Sequence, residues 1–255
     1  MRTLICSFFF ITLFSCNEST ENYVSKFSDP VIYNKTVKKL NDIVLENNFP
    51  PMIAARNYAY ANIAAYECMV AGDSSLKSLS GRIAHMPTMP KGNEAAVVDH
   101  HLAALLAFVK VGNAVTFPEG SMMKYYDQLL EMADSLDVPG AIIKNTVAFS
   151  DAIATSILAW SKGDNYPETR GAPRFAVNDS VGRWVPTPPM YATGLEPHWM
   201  TIRPFALDSA AQCRPGRPPL FSLEKNSVYY QSLLEVKKTV DSITEEQKHI
   251  ADFWD

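Results

Sequence analysis

The segment Pro50-Pro51-Met52-Ile53-Ala54-Ala55-Arg56, continuing as a helix former to Val70, constrains this chain more than any other. Proline suits the first helical turn, where its missing N–H is one the helix would leave unpaired anyway. Alanines follow at 54, 55, 59, 61, 64 and 65, and small side chains on several faces let neighbouring helices come close. Such a helix is expected at the centre of a helical assembly. Arg56 and Glu67 are its only charges, and an arginine there needs a partner or a place at the helix edge.

The surrounding sequence repeats the helical period. Val31, Val37, Leu40 and Val44 mark a first helix that stops at Asn47-Asn48-Phe49-Pro50. After a polar connection over 74–93, Val97, His101, Leu105 and Val109 share one side of a helix expected from Glu94 to Val111. Pro118-Glu119 opens a fourth, with Tyr125, Leu129, Met132 and Leu136. Pro139 opens a fifth, carrying Ile142, Ile143, Val147, Ile153, Ile157, Leu158 and Trp160. Helices of this kind joined by short loops solve their burial problem by antiparallel packing, so the fold class is all-α, an antiparallel helical bundle.

Residues 163–221 break the pattern. Glycine and proline punctuate them too densely for long elements, giving a long irregular segment rich in Pro and aromatics. Trp184, Trp199, Phe205 and Phe221 are expected to lie across a helical surface with their rings buried, and Phe175-Ala176-Val177 has room for a short strand. Helix resumes over 222–240 with Tyr229, Leu233, Val236 and Val240 in one stripe. Thr244-Glu245-Glu246-Gln247 is a capping box for a last helix presenting Ile250, Phe253 and Trp254. A helix that has just begun to present Phe and Trp is expected to continue against something. Residues 30–255 therefore read as one helical region, shortened at its C-terminus or completed by a segment elsewhere.

The beginning of the chain addresses it to the cell envelope. Arg2 precedes an apolar run from Leu4 to Leu13 with the length of a signal-peptide core, and Leu13-Phe14-Ser15-Cys16 resembles a bacterial lipobox. The reading is a signal peptide over 1–15, lipidation of Cys16, and a polar tether over 16–29. The partner is a membrane, reached through the lipid anchor, and the location is periplasmic or surface-exposed. No later segment reads as long and apolar enough to cross a bilayer. A formal net charge of -4 excludes a nucleic-acid footprint. Cys68 and Cys213 remain after processing, as thiols or as a pair.

Chemistry is sparse. His100 and His101 are adjacent in a helix and point apart, so they lack metal-ligand spacing, and no metal site is expected. His85 lies in a loop and His249 on a polar face. No nucleophile elbow, phosphate loop, dinucleotide fingerprint or zinc motif is present. The candidate anion-binding residues are Arg203, Arg214 and Arg217, within one irregular segment, together with His198. The alternative for these arginines is bonding to loop carbonyls and carboxylates of the same domain.

Several strings, taken in order, carry a resemblance. They are Pro50 to Arg56 with its alanine-rich helix, Trp184-Val185-Pro186-Thr187-Pro188-Pro189, Pro197-His198-Trp199-Met200-Thr201-Ile202-Arg203-Pro204-Phe205, Gln212-Cys213-Arg214-Pro215-Gly216-Arg217-Pro218-Pro219-Leu220, Glu235-Val236-Lys237, and Glu246 to Trp254. Their order and spacing resemble the N-terminal half of bacterial vanadium-dependent haloperoxidases, of the type 2 phosphatidic acid phosphatase superfamily. The resemblance implies a helical protein. In such proteins a lysine, two arginines, a Ser-Gly-His element and a second histidine grip vanadate or phosphate, for peroxide oxidation of halide or for ester hydrolysis. Those elements follow the point where this sequence stops, and Ser80-Gly81-Arg82 is no substitute. The expectation is vanadate as cofactor for the complete family domain, none bound by this chain alone, no catalytic residue within it, and a C-terminal catalytic half or a second copy as partner. The alternative is a non-catalytic helical binding or scaffold lipoprotein.

Overall fold

The helix at the centre is not the alanine-rich one. α3 (His100–Val115) packs against α1 (Pro30–Glu46), α2 (Pro51–Val70), α4 (Met123–Ser135) and α5 (Gly140–Lys162). Its sequence explains why: Leu102 to Val109 is an unbroken apolar run, and every one of these residues is at most 3% exposed. A helix apolar all round must be covered all round. α2 lies beside it, and its alanines at 61, 64 and 65 are buried, as the small-residue pattern predicts.

This is a computed structural model, and it describes residues 23–93 and 95–254. The expected signal peptide, the lipidation site Cys16 and the first part of the tether lie outside the described residues. The described residues are helical, without strand, and fall into two compact units. The first holds the bundle and the returning segment 201–208; the second holds 172–200 and everything from 209 onwards. Phe175-Ala176-Val177 is irregular, not a strand.

Local chemistry sets the helix ends. The Asp29 carboxylate accepts the Val31 N–H at 2.9 Å and Pro30 follows, so α1 starts on an acidic cap with proline in its first turn. Thr36, Leu40 and Val44 face the core, while Val31 turns outward. α3 begins later than Glu94 because Asp99 is its cap. The Asp99 carboxylate accepts the Leu102 N–H at 3.0 Å, the Ser25 hydroxyl at 2.8 Å and the Tyr23 hydroxyl at 2.7 Å. With Phe27 buried as well, the last part of the stretch read as a tether is fixed to the bundle. α4 also begins later than expected. Pro118 heads a turn in which Gly120 takes φ +86°, a left-handed conformation that suits glycine, and the helix starts at Met123.

α5 corrects the expectation that nothing after the leader could span a bilayer. Its 23 residues are long and apolar enough to do so by length and composition. In this fold Ile142, Phe149, Ile153, Ile157 and Trp160 are instead buried against the other helices.

The loop between α2 and α3 is tied down by buried polar groups. Glu67 accepts the Ser78 hydroxyl at 2.8 Å and the Leu79 N–H at 2.7 Å, and the Trp160 indole N–H donates to the Ala84 carbonyl. His85 sits at this loop's tip with positive φ, exposed, as a turn residue. Cys68, buried, and Cys213, exposed, are both free thiols.

After the short α6 (Tyr166–Arg170) of the first unit, the next α-helix, α7 (Val228–Asp241), lies in the second unit and is capped by Ser227, which accepts the Tyr230 N–H. The capping box before α8 (Glu245–Trp254) forms in both directions: the Gln247 N–H donates to the Thr244 hydroxyl and the Thr244 N–H to the Gln247 amide oxygen. No described residue of this unit is buried. The aromatic-burial expectation therefore fails for Trp184 and Phe221, which are 50% and 41% exposed. They pair at the surface instead, Trp184 edge-on to Phe175 and Phe221 to Tyr229.

Candidate functional site

The four residues read as anion-binding fall in different units. Arg203 is in the first, and His198, Arg214 and Arg217 are in the second. The His198 imidazole Nε2 lies 2.7 Å from the Pro173 carbonyl, to which it donates. Arg214 and Arg217 are exposed; Arg217 borders a surface hollow of about 600 Å³ with Leu220, Phe221, Tyr229 and Leu233.

Arg203 takes the structural role. The segment 201–208 returns to the bundle and lays Phe205 against Tyr60 and Trp160, with ring centroids 5.1 and 5.7 Å away. Beside it the Arg203 guanidinium donates to the Gly163 and Trp160 carbonyls, at 3.1 and 2.9 Å, and to the Tyr60 hydroxyl at 3.1 Å. It also sits 4.8 Å over the Trp160 ring.

The group that sequence reading missed is Asp164, only 1% exposed. Its carboxylate accepts Arg56 Nε at 2.6 Å, the Tyr60 hydroxyl at 2.9 Å and the Tyr166 N–H at 2.9 Å, while its backbone carbonyl accepts the Arg203 N–H. Arg56 is thus paired, as a buried charge on α2 requires. Its remaining donors go to the Ser161 carbonyl and the Asn57 amide oxygen, and its plane stacks on Tyr60 and Tyr166. Burial first, then the Asp164 charge, pushes the Tyr60 hydroxyl well above its ordinary range, with Arg203 and Arg56 partly opposing. Tyr60 therefore stays a neutral donor. One polar atom in the knot, Asn57 Nδ2, is buried without a hydrogen-bond partner.

These residues do not fit an oxyanion such as vanadate. A cradle for it needs several cationic donors left open and converging on one space. Here the guanidiniums of Arg56 and Arg203 are spent on a carboxylate, carbonyls and a tyrosine. Among the described residues no group of three or more His, Cys, Asp or Glu side chains is placed to hold a metal ion. His100 is likewise committed: its Nδ1–H donates to the Cys68 carbonyl at 3.1 Å, and its ring meets Phe149 edge-on.

A second feature of the first unit is a cavity of about 510 Å³ bounded by the entry to α1, by α2 and by α3. Ala65, Ala104 and Leu105 form its floor and Phe27, Tyr33 and Tyr66 its aromatic walls, with His101 among the lining side chains. Burial pushes the Tyr33 hydroxyl up to about 12, so it is a neutral donor, to the Asn62 amide oxygen at 2.7 Å.

Comparison with known proteins places this geometry. No family model matches the chain, and no curated protein matches it. A solved structure does: a bacterial vanadium-dependent iodoperoxidase, 35% identical in sequence, superimposes with a TM-score of 0.81 over 88% of this chain. The chain spans only 55% of that protein's length.

Proposed function

Because this chain is a protein like the bacterial vanadium-dependent haloperoxidases, we propose that it is the helical N-terminal portion of such an enzyme, a scaffold whose anion site is supplied by sequence outside these 255 residues. The chemistry of the whole would be vanadate-dependent oxidation of halide by peroxide, or phosphate-ester hydrolysis on the same kind of cradle. No step is assigned to residues of this chain, since the guanidiniums of Arg56 and Arg203 are occupied by protein acceptors and the exposed Arg214 and Arg217 line no enclosed cradle among the described residues.

The observation that carries this reading is the second unit, whose amphipathic helices have no buried core among the described residues. Leu233, Val236 and Val240 of α7 and Ile250, Phe253 and Trp254 of α8 are all exposed by half or more. Apolar surface of this extent, left open on a soluble helix, marks a face built to be covered. The remaining 45% or so of the iodoperoxidase length, not spanned here, is the natural occupant.

We place the protein in the cell envelope on its lipobox-like Leu13-Phe14-Ser15-Cys16, with Cys16 as the acylated residue. The anchoring is tested by labelling cells with a fatty-acid analogue: label on the native chain and none on Cys16→Ser supports it, and label on both contradicts it. The functional reading is tested on the coding sequence immediately downstream. A Ser-Gly-His element there, and vanadate-dependent iodide oxidation by the continuous product, support the proposal. A downstream sequence without that element favours the non-catalytic scaffold.

A further inference from the structure

We propose that the cavity between the entry to α1, α2 and α3 is a binding site for a compact, uncharged, largely apolar molecule carrying one hydrogen-bonding group, which is met by His101. This site is independent of the anion chemistry proposed above, and its lining argues against that chemistry. No lysine or arginine borders it, and the one carboxylate that does, Asp29, is occupied in capping α1. An anion entering there meets a carboxylate and no formal cation, so halide, phosphate and vanadate are disfavoured.

The shape follows from small residues. Ala65 of α2 and Ala104 of α3 keep the two helices' facing side chains short, and Leu105 closes the floor. The volume of about 510 Å³ falls in the range of small-molecule sites, which are apolar with a few convergent polar groups. Most polar groups at its edge are already satisfied. The Tyr33 hydroxyl donates to Asn62, the Asn62 amide to the Tyr58 carbonyl, and the Tyr66 hydroxyl to the Lys77 carbonyl. His101 differs: it is half-buried and makes no hydrogen bond to another described residue. An imidazole offers two ring nitrogens for hydrogen bonding, so a partly dry one lining an apolar cavity is set to receive one polar group of a ligand.

The test uses the full chain and indole, which is flat, neutral and has a single N–H. Methyl resonances of Met69 and Leu105 are followed during titration, with Met132 as the remote control. Saturable shifts at Met69 and Leu105 alone are expected. Ala104→Leu, which fills the floor, and His101→Phe, which keeps the volume and removes the polar contact, each weaken binding by roughly tenfold or more. Benzoate, of similar size but charged, binds at least about tenfold more weakly than indole. Absence of saturable shifts, an affinity unchanged by His101→Phe, or benzoate binding as tightly as indole overturns the proposal. His101→Phe decides the matter if Ala104→Leu does not fold.

Discussion

Arg56 Nε and Asp164 Oδ2 meet at 2.6 Å across 108 positions of sequence, with 7% and 1% of their side chains exposed. Removing one partner of such a pair strands the other as a buried charge, which costs about 3–5 kcal/mol. Asp164→Ala is therefore expected to lower the free energy of unfolding by that amount. It should also loosen the returning segment 201–208 through Tyr60, whose hydroxyl donates to the Asp164 carboxylate and accepts from Arg203. Denaturant unfolding followed by tryptophan fluorescence reads both, since Trp160 packs against Phe205. A loss below about 1 kcal/mol would show the pair to be peripheral.

This knot also marks how far the sequence was legible. The need for a partner to Arg56 is visible in a helix with two charges among alanines. The partner's identity is not, because Asp164 sits in a Gly-Asp-Asn turn that looks like any other loop and only the fold brings it to α2. The helices themselves are readable from apolar spacing, and their starts much less so. Glu94 looks like a helix start, but Asp99 has the cap role because Tyr23 and Ser25 converge on it from far upstream. Arg203, Arg214 and Arg217 look alike in sequence. Packing separates them, turning Arg203 into a clasp on carbonyls while the other two stay exposed. The exposure of Trp184 and Phe221 is not legible either, because composition shows that an aromatic wants cover and does not show whether this chain provides it.

Gly72 lies directly under His100. A Cβ built on Gly72 would be 2.4 Å from His100 Cδ2. Gly72→Ala is expected to destabilise the fold by about 1–3 kcal/mol, the cost of overpacking this close contact, although Gly72 itself is exposed. In a double-mutant cycle His100→Ala should relieve most of that cost, since it removes the clashing ring. Additive losses would mean that the backbone, and not the ring, is what Gly72 serves.

The same histidine gives a pH dependence. Burial lowers the His100 pKa from its ordinary value, against the raising effect of the Cys68 carbonyl and Asp99. The unfolded chain therefore binds the proton at higher pH than the folded one. The contribution is fully present above the unfolded value near 6.5 and is lost as pH falls through the lowered folded value. Unfolding midpoints measured from pH 8 to pH 5 should fall less steeply for His100→Gln than for the native chain. Parallel curves would remove His100 from the acid response.

Asp99 joins the N-terminal segment to α3. Asp99→Ala removes the cap, worth about 0.5–2 kcal/mol, and also the acceptor for the Tyr23 and Ser25 hydroxyls. Hydrogen exchange should show the amides of 23–27 losing protection before those of α1. Retained protection there would mean that Phe27 alone holds the segment.

Phe253 and Trp254 are 72% and 80% exposed. Replacing both with serine is expected to change the stability of this chain by no more than about 0.5 kcal/mol for each position, as for other exposed positions. If the proposed continuation covers those rings, the same change should weaken assembly with it. A large stability loss in the chain alone would show that α8 already has its partner here.

The central claim is that this chain carries a haloperoxidase-like scaffold and not the anion site. Titration calorimetry of the purified chain with vanadate tests it most directly. The account predicts no saturable heat from the chain by itself and binding once the downstream continuation is joined to it. Saturable vanadate binding by the chain alone, lost in Arg214→Ala or Arg217→Ala, would contradict it and make the exposed arginines of the second unit a true oxyanion site.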